Sequence, residues 1–388
     1  MIDFVFQNPC KIIFGKNALS HLGEEVLRYG RNVLLVYGGG HIKRMGLYQQ
    51  VINILAEKQV QVWELGGIRP NPMLSRVYEG IELCRSNNID LLLAVGGGSV
   101  IDTAKSIAAG VPYEGDVWDF HAGKAVPKTA LPVGTVVTIS AAGSEMSYSS
   151  VITKEEGMRK AGFNSLTNVP KFSILNPEYC YSLPPYQTAC GVVDMLAHLM
   201  ERYFTQVEHV MLTDQMLEAC MRTVLIQGPI VMERPDDYHA RAELMWAAAL
   251  AHNTLLQTGR VGDWASHKLE HELSALYDIA HGAGLAIVFP AWMKYVLRHS
   301  PGKLAQFASQ VMGVPENVGD EEAISLEGIR RLESFYRSLG MPIRLQDAGI
   351  CSDRLEEMAA RATSAGPVGF YYPLREADAL AVYRLMVE

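Results

Sequence analysis

LLLAVGGGSVIDTAKSIA, residues 91–108, decides the fold class. Five apolar residues run straight into three glycines and a serine, and a helical pattern follows without a break. A short, wholly apolar strand suits a sheet covered on both faces. The glycines allow a tight exit from it. The same grammar recurs upstream, where VLLVY at 33–37 runs into Gly38, Gly39 and Gly40, and VQVWEL at 60–65 runs into Gly66 and Gly67. Helical patterns over 44–58, 73–87 and 99–109 lie between or after these runs. Strands alternating with helices predict a parallel sheet in an α/β domain.

Past SLPPYQ at 182–187 the pattern changes to helices alone, over 186–204, 209–224, 238–256, 263–275, 283–298, 302–311, 322–338 and 353–363. Paired prolines interrupt both regular structures, so the boundary falls near Pro184 and Pro185. The expected organisation is an α/β dinucleotide-binding domain over 1–184 and an all-helical domain over 185–388. A chain of 388 residues favours two domains.

Composition removes several classes of function. A net charge of −8 argues against nucleic acid or an anionic membrane as partner. No stretch reaches 18 uninterrupted apolar residues, and the N-terminus lacks the basic start of a signal peptide. Six scattered cysteines without a CxxC pair fit free thiols in a reducing cytosol, so a cytoplasmic location is expected.

Chemistry concentrates in two helical stretches. GDWASHKLEHELSALYDIAHGAGLA, residues 262–286, puts His267 and His271 four apart on one helix face, with His281 ten residues on. Gly282 and Gly284 beside it suit a close backbone turn. GVVDMLAHLMERY, residues 191–203, spaces Asp194 and His198 the same way. Any one of these residues alone reads as a satisfied core or surface group. Together they suggest two helices facing each other across a divalent cation. Met195, Leu196, Leu199 and Trp264 nearby favour a small uncharged substrate.

In the α/β half, glycine-rich strand–helix turns present N–H groups and a positive helix end to phosphate. Gly97 and Gly98 would let a pyrophosphate approach, Ser99 could cap the helix, and Asp102 could accept from ribose hydroxyls or an amide. Thr138, Ser140, Ser144 and Ser147 could bond a ribose or nicotinamide amide, and Lys160 a phosphate. A ligand-free turn and a plain Ser/Thr loop explain these features as well. The third glycine of GxGxxG is absent from both GGG turns, where Lys43 and Ile101 stand.

Taken together, NPCKIIFGKNAL at 8–19, PNP at 70–72, GGGSVIDTAK at 96–105, DMLAH at 194–198 and GDWASHKLEHELSALYDIAHG at 262–282 resemble the iron-containing (group III) alcohol dehydrogenases over nearly the whole chain. VYGGGHIKR at 36–44 resembles their NADPH-dependent aldehyde reductase and butanol dehydrogenase branch. The resemblance implies a dehydroquinate synthase-like architecture with the active site in an interdomain cleft, and a homodimer. It implies metal ligands at Asp194, His198, His267 and His281, and a place near the reacting centre for His271. Cofactor contacts are implied at Gly38, Gly39, Asn71, Gly97, Gly98, Ser99, Asp102, Thr138, Ser147 and Lys160. Ala142 replaces a threonine frequent in the family, and His41 replaces a serine, where a protonated imidazole could substitute.

NAD-preferring members carry an acidic residue where this chain has Gly39, and His41, Lys43 and Arg44 could neutralise a 2′-phosphate. NADP(H) is therefore expected over NAD(H), with one Fe²⁺ or Zn²⁺. The expected activity is hydride transfer between that cofactor and a small aliphatic aldehyde or alcohol, with the metal as Lewis acid. Two other readings stay open: a dehydroquinate synthase-like cyclase, which would want more basic residues near the histidines, and a non-catalytic nucleotide- or metal-binding protein.

Overall fold

The computed structural model describes residues 1–387. Eight strands form: β1 (Lys11–Phe14), β2 (Asn32–Gly38), β3 (Gln61–Ile68), β4 (Leu91–Gly96), β5 (Val133–Val137), β6 (Ser149–Lys154), β7 (Arg159–Asn164) and β8 (Phe172–Leu175). Six make one sheet in the order β1-β8-β5-β4-β2-β3, and every pairing in it is parallel. β6 and β7 pair antiparallel as a separate hairpin.

The apolar strand runs divide by parity into two cores. Leu34, Val36, Leu92 and Ala94 pack on one face of the sheet with the Leu74–Ser86 and Gly98–Gly110 helices. Val33, Leu35, Leu91, Leu93 and Val95 pack on the other with the Leu47–Glu57 helix. Period-two alternation between two covered faces leaves no polar side, which is why these strands read as unbroken apolar runs.

The topology also sets where a ligand can sit. From β2 the chain moves outward to β3, then crosses back over β2 to β4 and continues the other way to β5. The reversal falls between β2 and β4, the place where open α/β sheets bind ligands beyond their strand ends. Both GGG turns leave the sheet there.

The chain resolves into two compact units. One is Gln7–Leu183 with Pro235–Asn253; the other is Met1–Phe6 with Pro184–Arg234 and Thr254–Glu388. One edge of the units lies at Pro184, the Tyr238–His252 helix belongs with the sheet, and Met1–Phe6 belong with the helices. The helix fits there because Ala248 presents bare backbone to Gly143, where a Cβ would come 2.3 Å from the Ala248 oxygen. His252 Nδ1 lies 2.8 Å from the Ala142 carbonyl. The helical unit is built on Pro185–Tyr203, Met211–Glu233, Ala265–Tyr277, His281–Val296 and seven further helices or single turns of helix among the described residues. No helix among the described residues is long and apolar enough to cross a membrane.

Candidate metal centre and cofactor cradle

Helical spacing places Asp194, His198 and Glu201 on one face of the Pro185–Tyr203 helix, and His267, Glu270, His271 and Ser274 on one face of Ala265–Tyr277. The third contributor, His281, is the first residue of the His281–Val296 helix. Gly282 and Gly284 lie inside that helix and make no turn, contrary to the sequence reading. Their missing Cβ atoms serve close approach instead: on Gly282 one would come 2.1 Å from the Cys190 carbonyl oxygen, and on Gly284 2.6 Å from Glu270 Oε1.

These elements bring Asp194, His267 and His281 together, with ligand atoms all within 4.8 Å of one another. Asp194 Oδ1 is 3.9 Å from His281 Nε2. His198 stands against this set, its ring centroid 4.5 Å from that of His267 and its Nδ1 3.0 Å from Asp194 Oδ1. His271 lies further out, with its ring 5.9 Å from His281, and groups instead with Glu270 and His281.

The donor chemistry fits a divalent cation. Each of the three inner imidazoles has an acceptor at Nδ1: the Asp194 carbonyl for His198 at 2.9 Å, Glu201 for His267 at 2.8 Å, and Glu270 for His281. A carbonyl or carboxylate can only accept, so Nδ1 carries the proton and Nε2 keeps a lone pair for a metal. Two donors sharing a cation at ~2.0–2.2 Å stand roughly 3–4 Å apart, as Asp194 and His281 do.

The sequence reading missed Glu201 and Glu270, both fully buried. The available signal was their spacing, each three residues past a histidine on the same helix face. Glu201 Oε1 also accepts from the His267 backbone N–H at 2.9 Å, and Oε2 from Trp264 N–H at 2.5 Å. Burial, reinforced by the neighbouring Asp263 carboxylate, pushes the Glu201 pKa well up. Trp264 takes a left-handed φ of +68° to offer that N–H. Its ring lies 5.4 Å from His267, whereas Met195, Leu196 and Leu199 are core residues at 0–1 % exposure. Of the apolar residues expected around the substrate, Trp264 is the one that packs against the ligand rings.

Most cofactor candidates follow the carboxyl ends of β2, β4 and β5, while Asn71 follows β3 and Lys160 lies on β7. Gly97 is required first by packing, since a Cβ there would come 2.2 Å from Ile139 Cγ2. Gly98 opens the Gly98–Gly110 helix, with Gly97 as N-cap and no side-chain cap. Ser99 therefore sits inside the first turn and does not cap it. Asp102 accepts from Ser144 Oγ at 2.6 Å and Val151 N–H at 2.9 Å, so it ties the 142–151 segment to the Gly98–Gly110 helix. Ser147 Oγ accepts from Ser149 N–H at 2.9 Å and is buried, which makes it a turn residue. Thr138 is buried just past β5. Lys160 Nζ donates to Asn71 Oδ1 at 3.1 Å, bringing two candidates together, and Asn71 holds φ at +51°.

At the end of β2, a Cβ on Gly39 would meet nothing within 4 Å. Lys43 Nζ lies 4.9 and 4.5 Å over the rings of Tyr37 and Tyr48, whose hydroxyls donate to Glu64. Burial, and then Arg44, lower the His41 pKa, which disfavours the protonated imidazole that the sequence suggested.

Comparison with known proteins agrees with this organisation. The family model described as iron-containing alcohol dehydrogenase matches residues 9–177, and the C-terminal model of the same family matches 188–387. A probable NADH-dependent butanol dehydrogenase of Bacillus subtilis is 46% identical over 99% of both chains. The NADPH-dependent aldehyde reductase YqhD of Escherichia coli is 38% identical over 90% of both. The crystal structure of an NADH-dependent butanol dehydrogenase A from Thermotoga maritima superimposes with a TM-score of 0.96 at 40% identity, covering 100% of this chain and 99% of that one. With both halves matched and relatives aligned end to end, this chain belongs to the iron-containing alcohol dehydrogenase family.

Proposed function

We propose that this protein is a metal-dependent alcohol dehydrogenase acting as an aldehyde reductase, exchanging hydride between a nicotinamide dinucleotide and a small uncharged aldehyde or alcohol. The observation that carries it is the convergence of buried Asp194, His198 and His267 with the partly exposed His281, every imidazole Nδ1 already engaged. Asp194, His198, His267 and His281 would hold the cation. A divalent cation there supplies Lewis-acid polarisation of a carbonyl, and a reduced nicotinamide supplies hydride.

The protein's own residues do the rest. Glu201 and Glu270 fix which nitrogen of each imidazole faces inward. Trp264 closes one side of the ligand rings with an apolar surface and excludes water. His271, at 9 % exposure beside His281, holds the proton that the product oxygen takes up and recovers it in the reverse direction. Gly98 and the opening turn of its helix would hold the pyrophosphate, with the bonded Lys160–Asn71 pair as a further candidate contact.

For the cofactor, the proposal is NADP(H). The end of β2 has no acidic residue at Gly39, and Arg44 is exposed without an ion-pair partner among the described residues. NADH is the second reading. Lys43 is committed to two tyrosine rings near Glu64, and four relatives named NADH-dependent are 40–46% identical. The test follows NADPH and NADH oxidation with butanal on enzyme as purified, chelated, and reconstituted with Fe²⁺ or Zn²⁺. Activity lost on chelation and restored by metal is expected, with the higher kcat/KM for NADPH. Chelation-insensitive turnover would overturn the metal reading, and a preference for NADH the cofactor reading.

A further inference from the structure

Two carboxylates stand behind the candidate metal ligands, and they are not equivalent. Glu201 is woven into the fold: besides the His267 imidazole it accepts two backbone N–H groups, from Trp264 and His267. Glu270 accepts from two side chains. Its Oε2 accepts from His281 Nδ1 and its Oε1 from Ser274 Oγ. Ser274 in turn lies one helical turn along the same face and also donates to the Ile279 carbonyl at 3.2 Å.

The ligand that Glu270 backs is the least enclosed of the set. The His281 side chain is 26 % exposed, against 5 % for His198 and 8 % for His267. It also stands first in its helix, straight after a loop in which Asp278 takes φ of +51°. Packing therefore restrains His281 less than the other imidazoles, and its orientation depends more on the bond at Nδ1. Room for the carboxylate is provided by Gly284, three residues on, where a Cβ would meet Glu270 Oε1 at 2.6 Å and Cγ at 2.8 Å. Glu270 is fully buried and cannot swing away into water.

We propose that Glu270, seated against Gly284 and Ser274, is a positioning residue that fixes the tautomer and aim of His281 and so governs how tightly the protein retains its divalent cation. It acts through His281 and is not itself a ligand. The inference rests on the metal-site reading above and makes retention of the cation depend on Glu270. An imidazole whose Nδ1–H is held by a carboxylate is a stronger, pre-aimed donor at Nε2, and losing such a partner typically costs 10–100-fold in metal affinity. Glu270 also groups geometrically with His271 and His281 within 4.8 Å, so direct ligation is the competing arrangement that the test must separate.

The experiment measures Zn²⁺ and Co²⁺ affinity of the full-length apoprotein against a chromophoric chelator, with the Co²⁺ visible spectrum as a report on ligand geometry. The variants are Glu270→Gln, Gly284→Ala and, as reference for a lost ligand, Asp194→Asn. Glu270→Gln is expected to weaken binding roughly 10–100-fold while keeping a tetrahedral-type Co²⁺ spectrum. Gly284→Ala is expected to do the same, although alanine is the better helix former, because its methyl displaces the carboxylate. Nucleotide affinity should stay at the wild-type value in both, which a general loss of structure would not allow.

Affinity within about threefold of wild type in Glu270→Gln would overturn the inference and leave the metal reading intact. Loss as complete as in Asp194→Asn, with a changed Co²⁺ spectrum, would overturn it too and make Glu270 a ligand. A wild-type protein that takes up neither cation would overturn both the inference and the metal reading.

Discussion

Replacing Lys105 by methionine tests whether the glycine-rich motif and the hydroxyl-rich segment after β5 form one structure. Lys105 is fully buried near the end of GGGSVIDTAK. Its ammonium donates to the Ser144 carbonyl at 2.7 Å, Ser144 Oγ at 2.8 Å, and the Ser147 and Ser149 carbonyls at 2.9 Å each. Methionine fills a similar volume and donates nothing. Three backbone carbonyls would lose a charged donor, and the Asp102 and Glu145 carboxylates would lose their nearest cation. Breaking a buried charge pair by removing one partner costs about 3–5 kcal/mol, and each carbonyl left unsatisfied about 1–3. Water reaching the edge of the segment offsets part of this, so a net loss of about 4 kcal/mol is the working figure. At ~2–4 °C per kcal/mol for a unit of this size, the α/β unit should melt about 10 °C lower in scanning calorimetry. Nicotinamide dinucleotide binding should weaken in parallel, while the metal content of the helical unit stays at the wild-type level. The pH dependence gives a sign check. Burial pushes Lys105 down to about 8, so the folded state releases its proton before the unfolded chain does. Wild-type stability from this group therefore rises between pH 8 and the ordinary lysine value, and the gap to the variant widens there. A melting shift under ~3 °C at pH 7 would refute the reasoning, because Lys105 would then be a spectator of a segment that holds itself.

Three further outcomes follow from the same geometry. Gly282→Ala places a methyl 2.1 Å from the Cys190 carbonyl, which is helix backbone and cannot yield; expression should give insoluble protein or one melting far lower and holding no metal. Gly39→Asp meets open space, so it should fold normally and shift the NADPH-to-NADH ratio of kcat/KM toward NADH by ~10-fold or more; an unchanged ratio would separate Gly39 from the 2′-position. Burial lifts Glu145 to about 7, so its contribution is present below the ordinary carboxylate value and is lost as pH rises through about 7. At 1.36 kcal/mol per pH unit the loss is about 3 kcal/mol, and Glu145→Gln should flatten the decline measured by urea unfolding between pH 5 and 8.

How far the sequence could be read depended on the range of the forces involved. Strands β2, β3 and β4 were legible because burial on both faces leaves long apolar runs. β1 and β8 were not, since each has four residues and gains its place only by pairing with a strand distant in sequence. VGTVV at 133–137 carries a glycine and a threonine and reads as loop, yet it is central in the sheet; a Cβ at Gly134 would collide with the Phe172 ring at 2.2 Å. The Met211–Glu233 helix runs through Pro229 to nine residues past its expected end, and the Glu376–Leu385 helix escaped notice. Local propensity was outweighed there by tertiary packing. The histidines and Asp194 were legible because i,i+4 spacing is local. The protein contacts of Asp102 and Ser147 were not legible, since what meets a carboxylate or hydroxyl depends on segments 40 or more residues away, or on a turn whose shape the spacing does not fix.

The carboxylates behind the imidazoles show why the metal centre and the helical fold are one problem. Glu201 accepts from the His267 ring, the His267 backbone and the Trp264 backbone. The group that orients a ligand thus also ties the start of the Ala265–Tyr277 helix to the Pro185–Tyr203 helix. Asp263 does the equivalent next door, accepting from the backbone N–H groups of Ala265, Phe370 and Tyr371 while burial pushes its pKa up to about 6. Two buried anions side by side repel each other and are costly in a low-dielectric interior. Arg202, stacked 4.7 Å over the Trp264 ring and donating to the His198 carbonyl at 2.9 Å, offsets part of that cost. A divalent charge at the convergence of Asp194, His198, His267 and His281 would offset more of it. On this view the acidic lining is tolerable in the folded protein because a cation belongs at its centre, and metal affinity and fold stability should rise and fall together.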